Sequence, residues 1–244
     1  MKRLSRYIIN FFVGWLNQPV IRFGFILPLG KLFSKHADEE ILEKAFQFVN
    51  HSQLAGDYLE FGVWKGRSFG RAYNIWKYNF ARKQNLLGMR FCAFDSFAGL
   101  PELSVIDKQT GEFKKGDYAC DQTTFKKTLL KNGIDFKRVE IIDGWYDQSL
   151  NLDAKKKHQL KKAAVIWVDC DLYASTVSVL NFITDLVQDG TVIIFDDWFA
   201  FRGHPDRGEQ KAFQEWLERN PQIKAVEWQK TNWRSNSFIL SKTK

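Results

Sequence analysis

Five short apolar runs, each carrying or followed by an acid, constrain this chain more than any other feature. Asp57-Tyr58-Leu59-Glu60-Phe61 carries Glu60 and opens onto Gly62. Met89 to Phe94 stops at Asp95, Val139 to Ile142 at Asp143, Ala163 to Val168 at Asp169, and Thr191 to Phe195 at Asp196-Asp197. Brief runs rich in β-branched and aromatic residues read as strands covered on both faces. Helix-like stretches separate them. Glu39 to Asn50 puts Ile41, Leu42, Ala45, Phe46 and Val49 on one face, and Ser68 to Lys83, Thr123 to Lys131, Ser175 to Val187 and Gly208 to Arg219 follow. Asn132-Gly133 and Pro221 supply stop signals. Strand alternating with helix gives an α/β fold, a mostly parallel sheet with helices on both faces. Ala225 to Lys230 and Ser237 to Leu240 break the alternation, because two strands joined by a short loop must run antiparallel.

In such a sheet the carboxyl ends of the strands face the ligand crevice. Asp169, Asp196 and Asp197 brought together there repel one another and resist ionising together. A hard divalent cation, which prefers oxygen ligands, is the simplest partner. The first strand runs into Glu60-Phe61-Gly62-Val63-Trp64-Lys65-Gly66-Arg67-Ser68, a glycine turn before a helix N-terminus with free N–H groups. A dinucleotide fingerprint needs glycine where Trp64 stands, so a nicotinamide-type oxidoreductase is the weaker enzymatic reading. An acid just before the turn repels phosphate and suits a ligand with an amino group and a positive centre. Asp95 can accept both hydroxyls of a ribose, or cap the next turn through its own backbone. At Asp143-Gly144-Trp145-Tyr146 the rings can flank an adenine or simply pack.

These strand ends together suit S-adenosylmethionine beside a metal, and here the sequence resembles a known family. Leu59-Glu60-Phe61-Gly62-Val63-Trp64-Lys65-Gly66, Phe94-Asp95-Ser96-Phe97-Ala98-Gly99-Leu100-Pro101, Asp169-Cys170-Asp171-Leu172-Tyr173-Ala174-Ser175-Thr176 and Asp196-Asp197-Trp198 resemble the macrocin O-methyltransferases, a class I methyltransferase family. The likeness covers roughly residues 55 to 220. It implies a Rossmann-like, seven-stranded sheet with an antiparallel last strand, and magnesium-assisted methyl transfer from S-adenosylmethionine to a hydroxyl of a sugar or glycosylated small molecule. By motif, Glu60, Gly62 and Ser68 would line the methionine end and Asp95 would bind the ribose. Gly66, Ser96, Asp143, Gly144 and Trp145 would complete the cofactor set, and Asp169, Asp196 and Asp197 would hold Mg2+. Trp198 stands where such proteins often have Tyr, which bears on the acceptor pocket. Candidates for the base are Asp171, Tyr173, His204 and a metal-bound carboxylate such as Asp169. Asp171 could instead cap the helix beginning near Ser175.

Composition narrows the alternatives. With 45% hydrophobic and 26% charged residues, and 22 Phe and 9 Trp, the chain can build a large aromatic core. A net charge of +8 raises the alternative of a basic binding module on a methyltransferase-like fold. Its lysine groups, Lys126, Lys127 and Lys131, then Lys155, Lys156, Lys157, Lys161 and Lys162, read as solvated helix faces without a nucleic-acid motif. Three cysteines without metal-ligand spacing suggest a reducing cytoplasm. The N-terminus is basic to Arg6 and apolar to Leu16, but Asn10, Pro19 and Pro28 make a poor membrane span. Residues 1–37 read as an extension that caps the pocket, builds a contact in a homo-oligomer, or lies against a membrane surface. Residues 38–244 read as the methyltransferase domain.

Overall fold

The computed structural model describes residues 37–230 and 232–243. The extension expected over residues 1–37 lies, save for Ala37, outside the described residues, and so do the roles expected of it. In chain order the elements are α1 (Ala37–His51), β1 (Asp57–Phe61), α2 (Arg67–Ile75), β2 (Phe91–Asp95), α3 (Gln122–Lys131), β3 (Val139–Asp143), α4 (Tyr146–Ser149), α5 (Leu152–Lys157), β4 (Ala163–Val168), α6 (Tyr173–Ile183), β5 (Thr191–Phe195), α7 (Gly208–Arg219), β6 (Ile223–Glu227) and β7 (Asn236–Lys242). The seven strands form one sheet in the order β3-β2-β1-β4-β5-β7-β6. β1 to β5 are mutually parallel, and β7 runs antiparallel to both β5 and β6. This is the Rossmann-like class I methyltransferase sheet that the resemblance implied.

Alternation along the strands sorts side chains into two cores, because successive residues point to opposite faces. Tyr58, Phe91, Ala93, Val165, Trp167, Val192 and Ile194 meet α1, α2 and α3 on one face. Leu59, Phe61, Phe94, Ile166, Val168, Ile193 and Phe195 meet α6 and α7 on the other. All five apolar α1 residues expected to face inward are fully buried. Each fully buried large apolar side chain contributes about 1.5–3 kcal/mol, so the double-faced sheet is the main source of stability.

The helix expected from Ser68 to Lys83 is α-helical only to Ile75. Trp76–Phe80 widens into a π turn, closed by Ala81 N–H donating to Trp76 O at 2.8 Å. Trp76 and Phe80 are both buried there: Phe80 meets Phe46, and Trp76 Nε1 donates to Leu86 O at 3.0 Å. Cys92, Cys120 and Cys170 are buried free thiols. Among the described residues, no helix is long and apolar enough to cross a membrane.

Candidate active site

Strand register brings the acids together. Phe61 pairs with both Phe94 and Val168, Val168 pairs with Phe195, and Asp95 pairs with Asp143. The five parallel strands therefore end nearly level, and the residues after them share one edge. Gly62 makes this closeness possible. It sits at φ +89, and a Cβ there would stand 1.7 Å from Asp169 O, so any larger residue would push the ends of β1 and β4 apart.

A cavity of about 720 Å3 opens at this edge. Of the residues expected from sequence, Gly62, Asp95, Ser96, Trp145, Asp169, Asp171, Asp196 and Asp197 border it, whereas Glu60, Gly66, Ser68, Asp143, Gly144 and His204 do not. Asp95 organises one half. Its Oδ2 accepts from Val63 N at 2.9 Å and Trp64 N at 3.0 Å, and its Oδ1 accepts from Phe97 N at 2.8 Å. The capping alternative is thus realised, yet Oδ1, with one hydrogen bond from Phe97 N, has capacity to accept another, and Asp95 borders the cavity. Glu60 lies a layer beneath, fully buried, bonded to the Tyr58 hydroxyl and accepting from Ser68 Oγ at 2.6 Å. Burial pushes its carboxyl up to about 8. Of the aromatic pair, Tyr146 donates from its hydroxyl to Phe94 O at 3.1 Å and packs edge-on against Phe61, while Trp145 stands at the rim of the cavity.

The other half is acidic. Burial, then the charges of Asp196 and Asp197, raise Asp169 well above the usual carboxylate range. Asp196 is pushed up to about 7 by burial and by Asp197. Burial and Asp197 raise Asp171, and Glu209, buried under the cluster, is raised chiefly by burial. The built-in countercharge is Arg234, which sequence reasoning missed. Its Nη2 lies 2.5 Å from Asp197 Oδ1, 3.8 Å from Asp171 Oδ1 and 4.0 Å from Glu112 Oε1. A signal for it existed: β7 is antiparallel and starts opposite the end of β5, so the residues just before Asn236 must arrive at the acidic edge.

Arg234, together with Arg67, which also borders the cavity and favours the ionised form of Asp196, does not balance these acids. Asp197 Oδ2 is buried with no hydrogen-bond partner among the described residues. Carboxylate oxygens, a buried unpartnered ligand atom and surplus negative charge fit a hard divalent cation by donor chemistry. Among the described residues, however, no three acids converge closely enough to enclose an ion as they stand. The fit lies in the donor set, and the side chains would have to close on the ion.

The base candidates separate cleanly. His204 is exposed and lies near Asp206. The Tyr173 hydroxyl donates to Glu215 Oε2 at 2.7 Å, away from the cavity. Asp171 is buried and borders the cavity. It is not a helix cap: α6 starts at Tyr173, whose N–H donates to Asp107 Oδ1 at 2.8 Å. Asp171 itself holds φ +60, an uncommon backbone state for a non-glycine residue and one that clusters at functional sites.

Known proteins resemble this chain in sequence and in fold. Residues 37–235 match the family described as Macrocin-O-methyltransferase (TylF). The chain is 26% identical over 162 residues, 64% of its length, to the 8-demethyl-8-(2,3-dimethoxy-alpha-L-rhamnosyl)-tetracenomycin-C 4'-O-methyltransferase of Streptomyces olivaceus. It is 28% identical over 152 residues, 59% of its length, to the mycinamicin III 3''-O-methyltransferase of Micromonospora griseorubida. These stretches span 58% and 56% of the two relatives, less than two thirds of either. The structure of CalS11, a calicheamicin methyltransferase, superposes with a TM-score of 0.69 at 19% identity, over 98% of this chain and 90% of that one.

Proposed function

This chain belongs to the macrocin-O-methyltransferase family, and we propose that it transfers a methyl group from S-adenosylmethionine to a hydroxyl of a sugar or glycosylated small molecule, with a divalent cation such as Mg2+. The observation that carries this reading is one cavity joining Asp95 and the glycine turn on one side to Asp169, Asp171, Asp196 and Asp197 on the other. Both relatives are named O-methyltransferases, and the first is named for a rhamnosyl-bearing compound, which supports a sugar-bearing acceptor.

The division of labour follows from charge. Asp95 Oδ1 accepts from a ribose hydroxyl while Oδ2 keeps the turn at Val63 and Trp64 closed. Glu60 acts from beneath, holding Ser68 at the start of α2. The acceptor hydroxyl attacks the methyl carbon, the carbon–sulfur bond breaks, and the sulfonium leaves as a neutral thioether. Holding the two reactants in line supplies much of the rate. The hydroxyl proton passes to the Asp171 carboxylate. Asp169, Asp196 and Asp197 would hold the cation, which when bound supplies a Lewis acid that favours the alkoxide.

The donor half is tested by calorimetric titration with S-adenosylmethionine. Asp95→Ala loses a hydrogen bond to a charged group, about 1.5–3 kcal/mol, so the dissociation constant should rise roughly tenfold to a hundredfold. An unchanged constant would remove Asp95 from the ribose site.

A further inference from the structure

Residues 96–121 form the long connection between β2 and α3, and they fold back over the cavity. Connections of that length inside a compact domain are usually functional. This one is anchored where it meets the acidic edge. Leu100, Leu103 and Phe113 form a small core with Leu172, Ala200 and Phe201, which follow β4 and β5. Glu112 Oε2 accepts from Phe201 N at 2.8 Å. Leu100 N donates to Asp117 O and Gly116 N to Leu100 O, each at 2.9 Å. Gly99, at φ +87, permits this pairing, since a Cβ there would lie 2.6 Å from Gly116 O.

That fixed segment presents Tyr118. Its ring meets Trp64 edge to face, with centroids 5.9 Å apart and planes at 83°. Both border the cavity, and both keep large exposed rings, Tyr118 at 47% and Trp64 at 42%. Both also hold positive φ, 60 and 41. Core packing does not explain two aromatic residues kept exposed on strained backbone, and such strain gathers at binding sites. The rings come from opposite halves of the site. Trp64 is tied to Asp95 through its backbone N–H, and Lys65 Nζ covers one face of its ring at 4.4 Å. Tyr118 feels the charges of Asp171, Arg234 and Asp197, and its hydroxyl makes no hydrogen bond among the described residues.

We propose that Tyr118, braced by Trp64, is a specificity-determining residue of the acceptor site: its ring packs on the apolar face of the acceptor sugar and turns the reacting hydroxyl toward the carboxylates. The inference rests on the reading of the protein as a sugar O-methyltransferase. A pyranose offers C–H bonds on its faces and hydroxyls around its rim. An aromatic wall beside acids takes the face and leaves the rim to the polar groups, the mixture of apolar lining and few placed polar groups typical of small-molecule sites.

The test uses the full chain, S-adenosylmethionine, Mg2+ and a panel of p-nitrophenyl glycosides that includes the α-L-rhamnoside. Tyr118→Ala should raise the acceptor KM about tenfold, equivalent to about 1.4 kcal/mol, with a smaller change in kcat and an unchanged dissociation constant for S-adenosylmethionine. Tyr118→Phe keeps the ring, introduces no cavity, and should stay close to wild type in KM. Trp64→Ala should raise KM in the same direction. An unaltered acceptor KM in Tyr118→Ala overturns the proposal. So does a weakened S-adenosylmethionine affinity with KM intact, which would assign the ring pair to the donor pocket. If the wild-type protein binds S-adenosylmethionine yet neither methylates nor binds any glycoside of the panel, the functional reading falls and the proposal with it.

Discussion

Asp171→Asn is expected to lower kcat by roughly 10²- to 10⁴-fold, the usual contribution of a positioned general base, while leaving S-adenosylmethionine affinity unchanged. The variant keeps the shape of the side chain and removes its ability to take a proton. Three features single Asp171 out. It borders the cavity; its backbone is held at φ +60; and Asp107 from the β2–α3 connection caps α6, which frees Asp171 from that task. The pH dependence carries the same signature. Burial and Asp197 raise the Asp171 carboxyl well above the ordinary carboxylate range, and a base works only when ionised. Turnover should therefore fall as pH drops, beginning at a higher pH than an ordinary aspartate would give, and a bound cation should move that limb downward. Steady-state kinetics across pH for both proteins checks this. A variant that retains wild-type kcat would shift the proton to another acceptor.

Removal of divalent metal is the second large expected effect. Lewis-acid stabilisation is worth several kcal/mol, so chelation should cut turnover on the order of 10²- to 10³-fold, with recovery on adding Mg2+. Asp196→Asn should reproduce the loss without weakening S-adenosylmethionine binding, because Asp196 faces the acidic half of the cavity. The fold should survive chelation, since Arg234 already offsets part of the charge on Asp197 and Asp171. Turnover assayed in excess chelator, with circular dichroism as the control, decides it. Full activity there would leave the carboxylates with protein cations such as Arg234 and Arg67 as their countercharge.

Much of this site was legible in the sequence because strands buried on both faces announce themselves. β1, β4 and β5 have the bounds their apolar runs suggested, and the acids that follow β4 and β5 can only gather where parallel strands end. Other features left weaker traces. α4 and α5 are too short for periodicity to reveal, although Asn151 caps Ala154 N at 2.9 Å and could have marked the second. Glu60 reads as a ligand from its motif, but its neighbours Tyr58 and Ser68 enclose it, and enclosure is a property of packing rather than of spacing. Arg234 lies 37 residues beyond Asp197 in sequence, and the antiparallel return of β7 brings it back to that carboxylate. Tyr118 sits in a connection without periodicity, and its place over the cavity depends on the Gly99–Gly116 approach.

The central claim is that one cavity joins a methyl donor at Asp95 to an acceptor hydroxyl at the carboxylates. The most direct measurement incubates the purified full chain with methyl-labelled S-adenosylmethionine, Mg2+ and the glycoside panel, and follows the label by mass spectrometry. The account predicts label in a methyl ether on a sugar hydroxyl, with S-adenosylhomocysteine formed in equal amount. Tight S-adenosylmethionine binding with label transferred to nitrogen, carbon or a non-sugar hydroxyl, or no S-adenosylmethionine binding at all, would contradict it.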